Sequence, residues 1–377
     1  MKQFLCYITI ILFLSSCTSS LNLISIDALE PAVVSFPPEV TKVVLVNNSP
    51  TPPDDEEDAP KPQGINTPIL TLDSARNIFL SSLEQFMKEE KYFTEVELYP
   101  HKTNNSLILK DVNPLSRRKV QAICMERNAD ALVSLDLYAV TVQLESENMA
   151  YFSDYSIIGA KLGTIIRVFS KDGNQYVSRI GYVDSLFAEG PAPWDIKRNY
   201  ASEVNMLITD LSIVGADKVT GKLIPSWKKH QRWYYPGGSK EMKQAANYVK
   251  EGKWEDAAVI WGQLFEKETK ANKKMKLASN IALANECLDD IGNALNWIDI
   301  AYDLLPAKEK EKFEVKAITY TQVIGSNRSL NLDPIAANDV ERIFSYKREL
   351  TIRKNNSAKL EEQLGITDEQ QDDDAPE

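Results

Sequence analysis

The chain has 377 residues, 43 of them basic and 54 acidic, for a formal charge of −11, and it contains only two histidines. At a rough ~150 residues per domain this length provides for two to three domains. The acidic balance excludes a general nucleic-acid binder, which meets phosphates with a basic face. The first element is Met1-Lys2-Gln3 followed by an almost unbroken apolar run from Phe4 to Leu14, the charged and apolar regions of an export signal over residues 1–16. A bilayer span needs about 20 apolar residues, so this run is too short to cross one.

The run closes on Leu14-Ser15-Ser16-Cys17. This resembles the lipobox of bacterial lipoproteins, in which an aliphatic residue and two small ones precede the cysteine whose thiol takes a diacylglyceryl group. The resemblance implies cleavage before Cys17, lipidation of Cys17, and anchorage in a membrane through two or three acyl chains. One chain holds marginally at about 0.8 kcal/mol per buried methylene, and two hold firmly. An ordinary signal peptide beside a chance cysteine, or an uncleaved helix, are the alternatives. Removal of residues 1–16 takes away one positive charge, Lys2, and leaves −12. Residues 17–40 read as the lipidated cysteine and its tether.

Residues 41–215 read as an α/β domain. Val43–Val46 forms a buried strand. The segment 50–64, with Asp54-Asp55-Glu56-Glu57-Asp58 among prolines, reads as an exposed acidic loop, since prolines lack donors and like charges repel. It lacks the alternating ligands and central glycine of a calcium loop. Asp73 is placed to cap a helix running to about Lys91, with Ala75, Ile78, Phe79, Leu83, Phe86 and Met87 on one face. Then follow a strand at Glu95–Tyr99, a helix over Pro114–Arg127, and a strand at Ala131–Val140. The strands Gly163–Ser170 and Tyr176–Leu186 join across Asp172-Gly173, a hairpin turn. An amphipathic helix over Trp194–Val214 closes the domain. The fold class predicted is α+β: an N-terminal α/β sandwich with a mixed sheet, in the order βαβαβββα, followed by an all-α domain. Element order of this kind is similar to small α/β domains at the front of some periplasmic assembly proteins, and order alone implies no activity.

Residues 216–238 read as an aromatic and basic connector, in which Trp227, Arg232, Trp233, Tyr234 and Tyr235 could stack on a sugar or peptide. The alternative is that these aromatics wedge the α/β domain against the helices that follow. Over 239–363 the texture is helical. Ala245, Tyr248, Gly252, Trp254, Ala257, Trp261 and Leu264 stand at the spacings of a tetratricopeptide repeat. Ala282, Ile291, Ala294, Ile298, Ala301 and Pro306 give a second copy, offset by 37 residues from Ala257 to Ala294 against the usual ~34. Asp289 replaces the glycine of the second turn. A generic pair of helical hairpins is the alternative. Two repeats need caps, for which Lys308–Val323, Pro334–Leu360 and the α/β domain are candidates. Residues 364–377 read as a disordered acidic tail.

His101 and His230 have no partner at metal spacing, and no glycine-rich phosphate loop or Gly-x-Ser-x-Gly elbow occurs. No cofactor, metal or catalytic residue is assigned, and the chain is predicted not to be an enzyme. Cys124 and Cys287 fall in different domains and read as buried thiols, with a disulfide as the alternative. The whole arrangement resembles lipoproteins of Bacteroidota-type bacteria that carry a lipobox, a small α/β domain, a connector like Pro225, Trp227, Arg232, Tyr234, Tyr235, and a helical pair like Ala245, Gly252, Trp254, Ala257, Trp261. That family has no assigned activity. In that lineage Asp-Ser-aliphatic sites such as those at Ser74 and Ser185 can carry O-glycans. Thr18-Ser19-Ser20 lacks the aspartate that retains some lipoproteins at the inner membrane and the early acidic cluster that directs surface display in that lineage; that analogy implies a lipid anchor in the outer membrane with the body facing the periplasm, surface exposure being the alternative. Stacked helix pairs imply a scaffold that binds an envelope protein or peptide. A ligand- or glycan-binding lipoprotein is the second expectation and an unrecognised hydrolase the third. The sequence assigns no oligomeric state.

Overall fold

The computed structural model describes residues 21–52, 69–145, 157–189, 196–311, 334–335 and 337–366. The chain divides into two compact units. Among the described residues, one comprises Leu21–Ala28 and those within Trp227–Ala358; the other comprises those within Leu29–Ser226 and Lys359–Ile366. The fold is α+β.

The α/β unit is built on a five-stranded sheet. Strands β2 (Lys42–Asn47), β3 (Glu95–Leu98) and β4 (Ala131–Glu145) run parallel, and β5 (Ile157–Ser170) and β6 (Gln175–Glu189) continue antiparallel, in the order β3-β2-β4-β5-β6. Val43 to Val46 on β2 are all fully buried, as a strand covered on both faces requires. Val43 and Leu45 join the core that includes Phe79, Leu80, Leu83 and Met87 of α1 (Leu72–Glu89) and Val204, Leu211 and Val219 of α3 (Ile196–Leu223). Val44 and Val46 point the other way, to Val120, Ile123 and Cys124 of α2 (Arg117–Arg127). Gly173 takes φ 79° in the β5–β6 turn, the left-handed conformation that glycine adopts without a steric penalty.

In the helical unit, α4 (Lys240–Lys250), α5 (Trp254–Lys267), α6 (Ala271–Cys287) and α7 (Ile291–Asp303) pack successively. Val340, Ile343, Tyr346 and Leu350 of α8 (Asp339–Leu364) complete their core. Between α4 and α5, Gly252 has φ 73°. A Cβ there would meet open space, so backbone angle and not lack of room selects the glycine. Asp289 takes φ 61° between α6 and α7, so the second turn has the same left-handed form without a glycine.

Several expected boundaries shift. Thr71, not Asp73, caps α1, because its side-chain oxygen accepts the Ser74 amide; Asp73 sits in the first turn. Ser116 caps α2 in the same way, so that helix begins after Pro114. Helix α3 runs on to Leu223, nine residues past Val214. Residues 22–30, read as tether, form strand β1 (Asn22–Glu30), and residues 226–234, read as connector, form β7 (Ser226–Tyr234); the two make a separate ribbon. Partners some two hundred residues apart leave no turn signal between them, so only the weak alternation within each strand marked them. The expectations at residues 1–20, at 53–68 of the acidic loop, at Trp194, at 312–323 of the candidate cap and at 367–377 lie outside the described residues.

Gly215 lets α3 approach the sheet closely: an added Cβ would overlap Leu162 Cδ2 and touch Phe79. Gly215→Val should therefore destabilise the α/β unit by about 1–3 kcal/mol through overpacking. Denaturant unfolding of the full chain checks this, and an unchanged midpoint would remove the close approach.

Candidate functional site

The largest convergence of charged and aromatic side chains lies where the end of β7 meets α6 and α8. Arg232 is almost fully buried. Its Nε and Nη2 donate to Glu286 Oε2 and Oε1 at 2.8 and 2.9 Å, and its Nη1 donates to Glu349 Oε2 at 2.5 Å. Glu286 also accepts from the Tyr346 hydroxyl at 2.8 Å and from Arg353 Nη1 at 2.7 Å. The Arg232 guanidinium stands 5.3 Å from the centre of the Tyr346 ring. Burial alone would raise the Glu286 carboxyl, but the Arg232 fork, Arg353 and the Tyr346 hydroxyl hold it below the ordinary carboxylate range.

The next three residues continue this contact. Trp233 packs on Tyr346 and Tyr234 on Trp261. Tyr235 is gripped through its backbone: its amide donates to Asn280 Oδ1 and its carbonyl accepts from Asn280 Nδ2, both at 2.8 Å. The Tyr235 hydroxyl donates to Asp339 at 2.9 Å. An extended segment is thus held by a side-chain amide and an arginine fork on one face of α6. That helix is buried almost continuously from Leu277 to Ala284, as a helix enclosed on all sides must be.

Of the residues assigned to binding, Arg232, Trp233, Tyr234 and Tyr235 lie inside this core, and only Trp227 is open, at 62% exposure. Trp233, Tyr234 and Tyr235 are part of the helical unit's own interior. Of the repeat positions, Ala245, Ala257, Trp261, Ala282, Ala294, Ile298 and Ala301 are buried in that unit. Tyr248, Trp254 and Leu264 pack against it half-buried. Pro306 follows the end of α7 at Asp303. Cys17 lies outside the described residues.

Sequence reasoning missed a second polar cluster, at the carboxyl end of β2. Asp136 sits at a β-bulge between Leu135 and Leu137 and is fully buried. It accepts from Asn48 Nδ2 at 2.8 Å and Ser134 Oγ at 2.5 Å, and pairs with Arg167. Beside it the buried Arg76 donates to Asp73 at 2.5 Å, Thr51 at 2.7 Å and the Pro50 carbonyl at 2.9 Å, and Lys102 also donates to Thr51. Desolvation, then the neighbouring Arg76, lowers the Lys102 pKa. The hydroxyls and carboxylates of this cluster are engaged with one another, so it locks the exit of β2. One signal was visible: Asp136 is a lone charge inside an apolar strand, at a bulge that re-aims its side chain.

Cys124 and Cys287 are both free thiols. Burial pushes them up to about 11 and about 12, far from the thiolate that reacts. Among the described residues no group of three or more His, Cys, Asp and Glu could hold a metal, and no helix is long and apolar enough to cross a membrane.

Glu286→Gln should cost about 3–5 kcal/mol at neutral pH, because it strips the charge that compensates two partly or wholly buried arginines. A carboxyl held low in the folded state stabilises above its unfolded pKa and loses that contribution as pH falls through the folded one. The stability gap between wild type and Glu286→Gln should thus narrow below about pH 4.3. Urea titrations across pH check both outcomes, and a gap constant with pH would contradict the charge assignment.

The profile of a family described as a domain of unknown function (DUF8603) matches residues 40–235, more than half of the chain. A second, also described as a domain of unknown function (DUF6340), matches residues 243–326. No curated protein matches the chain. Among solved structures, the chain is similar to a minor lipoprotein from Acinetobacter baumannii at 10% identity and TM-score 0.25, covering 50% of this chain and 96% of that one. It is similar to a Helicobacter pylori protein described as a neuraminyllactose-binding hemagglutinin homolog, at 14% identity and TM-score 0.26, covering 59% and 98%. A hypothetical protein from Chlamydia trachomatis matches at 13% identity and TM-score 0.24, covering 48% and 97%. On the match over its α/β portion, the chain belongs to the DUF8603 family.

Proposed function

We propose that this protein is a lipid-anchored lipoprotein of the bacterial envelope that acts as a non-enzymatic scaffold or protein-binding module. The observation that carries the reading is the pairing of two features of one chain: the lipobox-like Leu14–Cys17 at one end and two helix pairs with tetratricopeptide-like positions at the other. In this reading Cys17 carries the acyl chains, the anchor sits in the outer membrane, and the body faces the periplasm.

Asn280 and Glu286 of α6 are taken up by the chain's own Arg232–Tyr235 segment. The partner surface in this proposal is therefore the outer side of α5 and α7, where Val259 and Ile300 are exposed among charged residues. A ligand- or glycan-binding role is the second reading. The exposure of Trp227 favours it, since a free indole beside Lys228 and Lys229 is a stacking platform.

Radiolabelled palmitate should enter the wild-type protein and not Cys17→Ser, and protease added to intact cells should leave the body uncut. Capture from envelope extract with the detergent-solubilised full chain should recover a protein partner, and Val259→Glu should lose it. A glycan-array signal abolished by Trp227→Ala, with no protein recovered, would replace the scaffold by the second reading.

A further inference from the structure

Strand β6 is the outer edge of the five-stranded sheet. It is 15 residues long, about 50 Å at the usual rise, and contains no proline between Gln175 and Glu189. Among the described residues no other strand pairs with its outer side. Soluble proteins blunt such edges with short strands, inward charges or covering elements, because unpaired amides and carbonyls template another strand. Here the one inward charge of the middle of the strand, Asp184, is taken up by the Tyr182 hydroxyl, and the solvent face carries large apolar groups, Val183 at 64% and, nearer the strand's end, Phe187 at 68% exposure. The opposite face of the same strand is committed to the core through Ile180, Tyr182, Leu186 and Ala188, which fixes which way each side chain points.

The pattern along β6 is self-complementary about one position. In an antiparallel pair of identical strands centred on residue c, residue c+k faces c−k of the copy. Centring on Val183 sets Val183 on Val183, Ile180 against Leu186, Arg179 against the Phe187 ring, and Tyr182 against Asp184. The last match is a hydrogen bond already made within one strand, where the Tyr182 hydroxyl donates to Asp184 at 2.5 Å. Moving the centre by one residue either way breaks this. Centring on Asp184 opposes two carboxylates, and centring on Tyr182 sets Ile180 against Asp184. Apolar, aromatic–cation and hydroxyl–carboxylate pairs across strands each favour pairing, and like charges oppose it.

We propose that β6 pairs antiparallel with β6 of a second copy of this chain about a two-fold axis at Val183, joining two five-stranded sheets into one of ten strands. The contact is isologous and closes at two copies. It sets the exposed Val183 beside its own copy on the axis and satisfies the outer edge of both sheets. This proposal is independent of the lipid anchor and of any envelope partner.

Light scattering on the full chain in detergent should give a protein mass of two chains. Val183→Lys places two ammonium groups on the axis and should give the mass of one chain with an unchanged circular dichroism spectrum. Mild oxidation should link Val183→Cys into a disulfide dimer far more completely than Asp184→Cys, while the wild type, with its free thiols Cys124 and Cys287, stays unlinked. A one-chain mass for the wild type would overturn the proposal. So would a two-chain mass that survives Val183→Lys, or cross-linking through Asp184→Cys in preference to Val183→Cys.

Discussion

Placing an arginine in the interior of a helical unit imposes conditions on everything near it. Taking a guanidinium out of water costs several kcal/mol, and only a well-placed counter-charge with matching hydrogen bonds offsets that. Arg232 meets the condition through the Glu286 fork, and Glu286 in turn needs Arg353 and Tyr346 to balance the carboxylate it brings inside. One buried ion pair thereby ties together β7, α6 and α8, which are far apart in sequence. Because Arg232 is fixed, the extended residues after it are delivered to Asn280, which binds the Tyr235 backbone at both its amide and its carbonyl.

This explains how two helix pairs can form a stable body. Two successive helix pairs leave apolar faces uncovered at the ends of the stack unless further elements pack there. Here β7 closes one side of α6 and α8 closes another. Within the α/β unit, Gln363 bonds the backbone of Ala32 and Val34. An extended piece of the chain itself, Arg232–Tyr235, is held against α6 by Glu286 and Asn280.

Local patterning made most of the elements legible. The apolar run Val43–Val46, the helical spacing of Ala75, Phe79, Leu83 and Met87, the Asp172-Gly173 turn and the alternation of Ala245, Ala257 and Trp261 each reflect a physical period of a strand, helix or turn. The β1–β7 ribbon was not legible, because its two strands meet only through the fold. For Trp233, Tyr234 and Tyr235 the sequence left a stacking site and a packing role both open, because aromatics interleaved with bases look the same whether they face a ligand or a core, and their partners Tyr346, Trp261 and Asn280 come from other helices. Of the polar cluster around Asp136 only that lone strand charge was legible, because its partners Asn48, Ser134 and Arg167 are, taken singly, ordinary strand or loop residues. Asp289 shows the converse, a turn whose left-handed geometry persists where the expected glycine is missing.

Arg232–Tyr235 is an integral, buried part of the helical unit. Amide hydrogen exchange on the full-length protein tests it most directly. Buried backbone bonds open only with the unit that holds them, so the Tyr235 amide, bonded to Asn280, should exchange as slowly as amides in the middle of α6. Exchange of Trp233–Tyr235 within seconds, while α6 stays protected, would contradict the account.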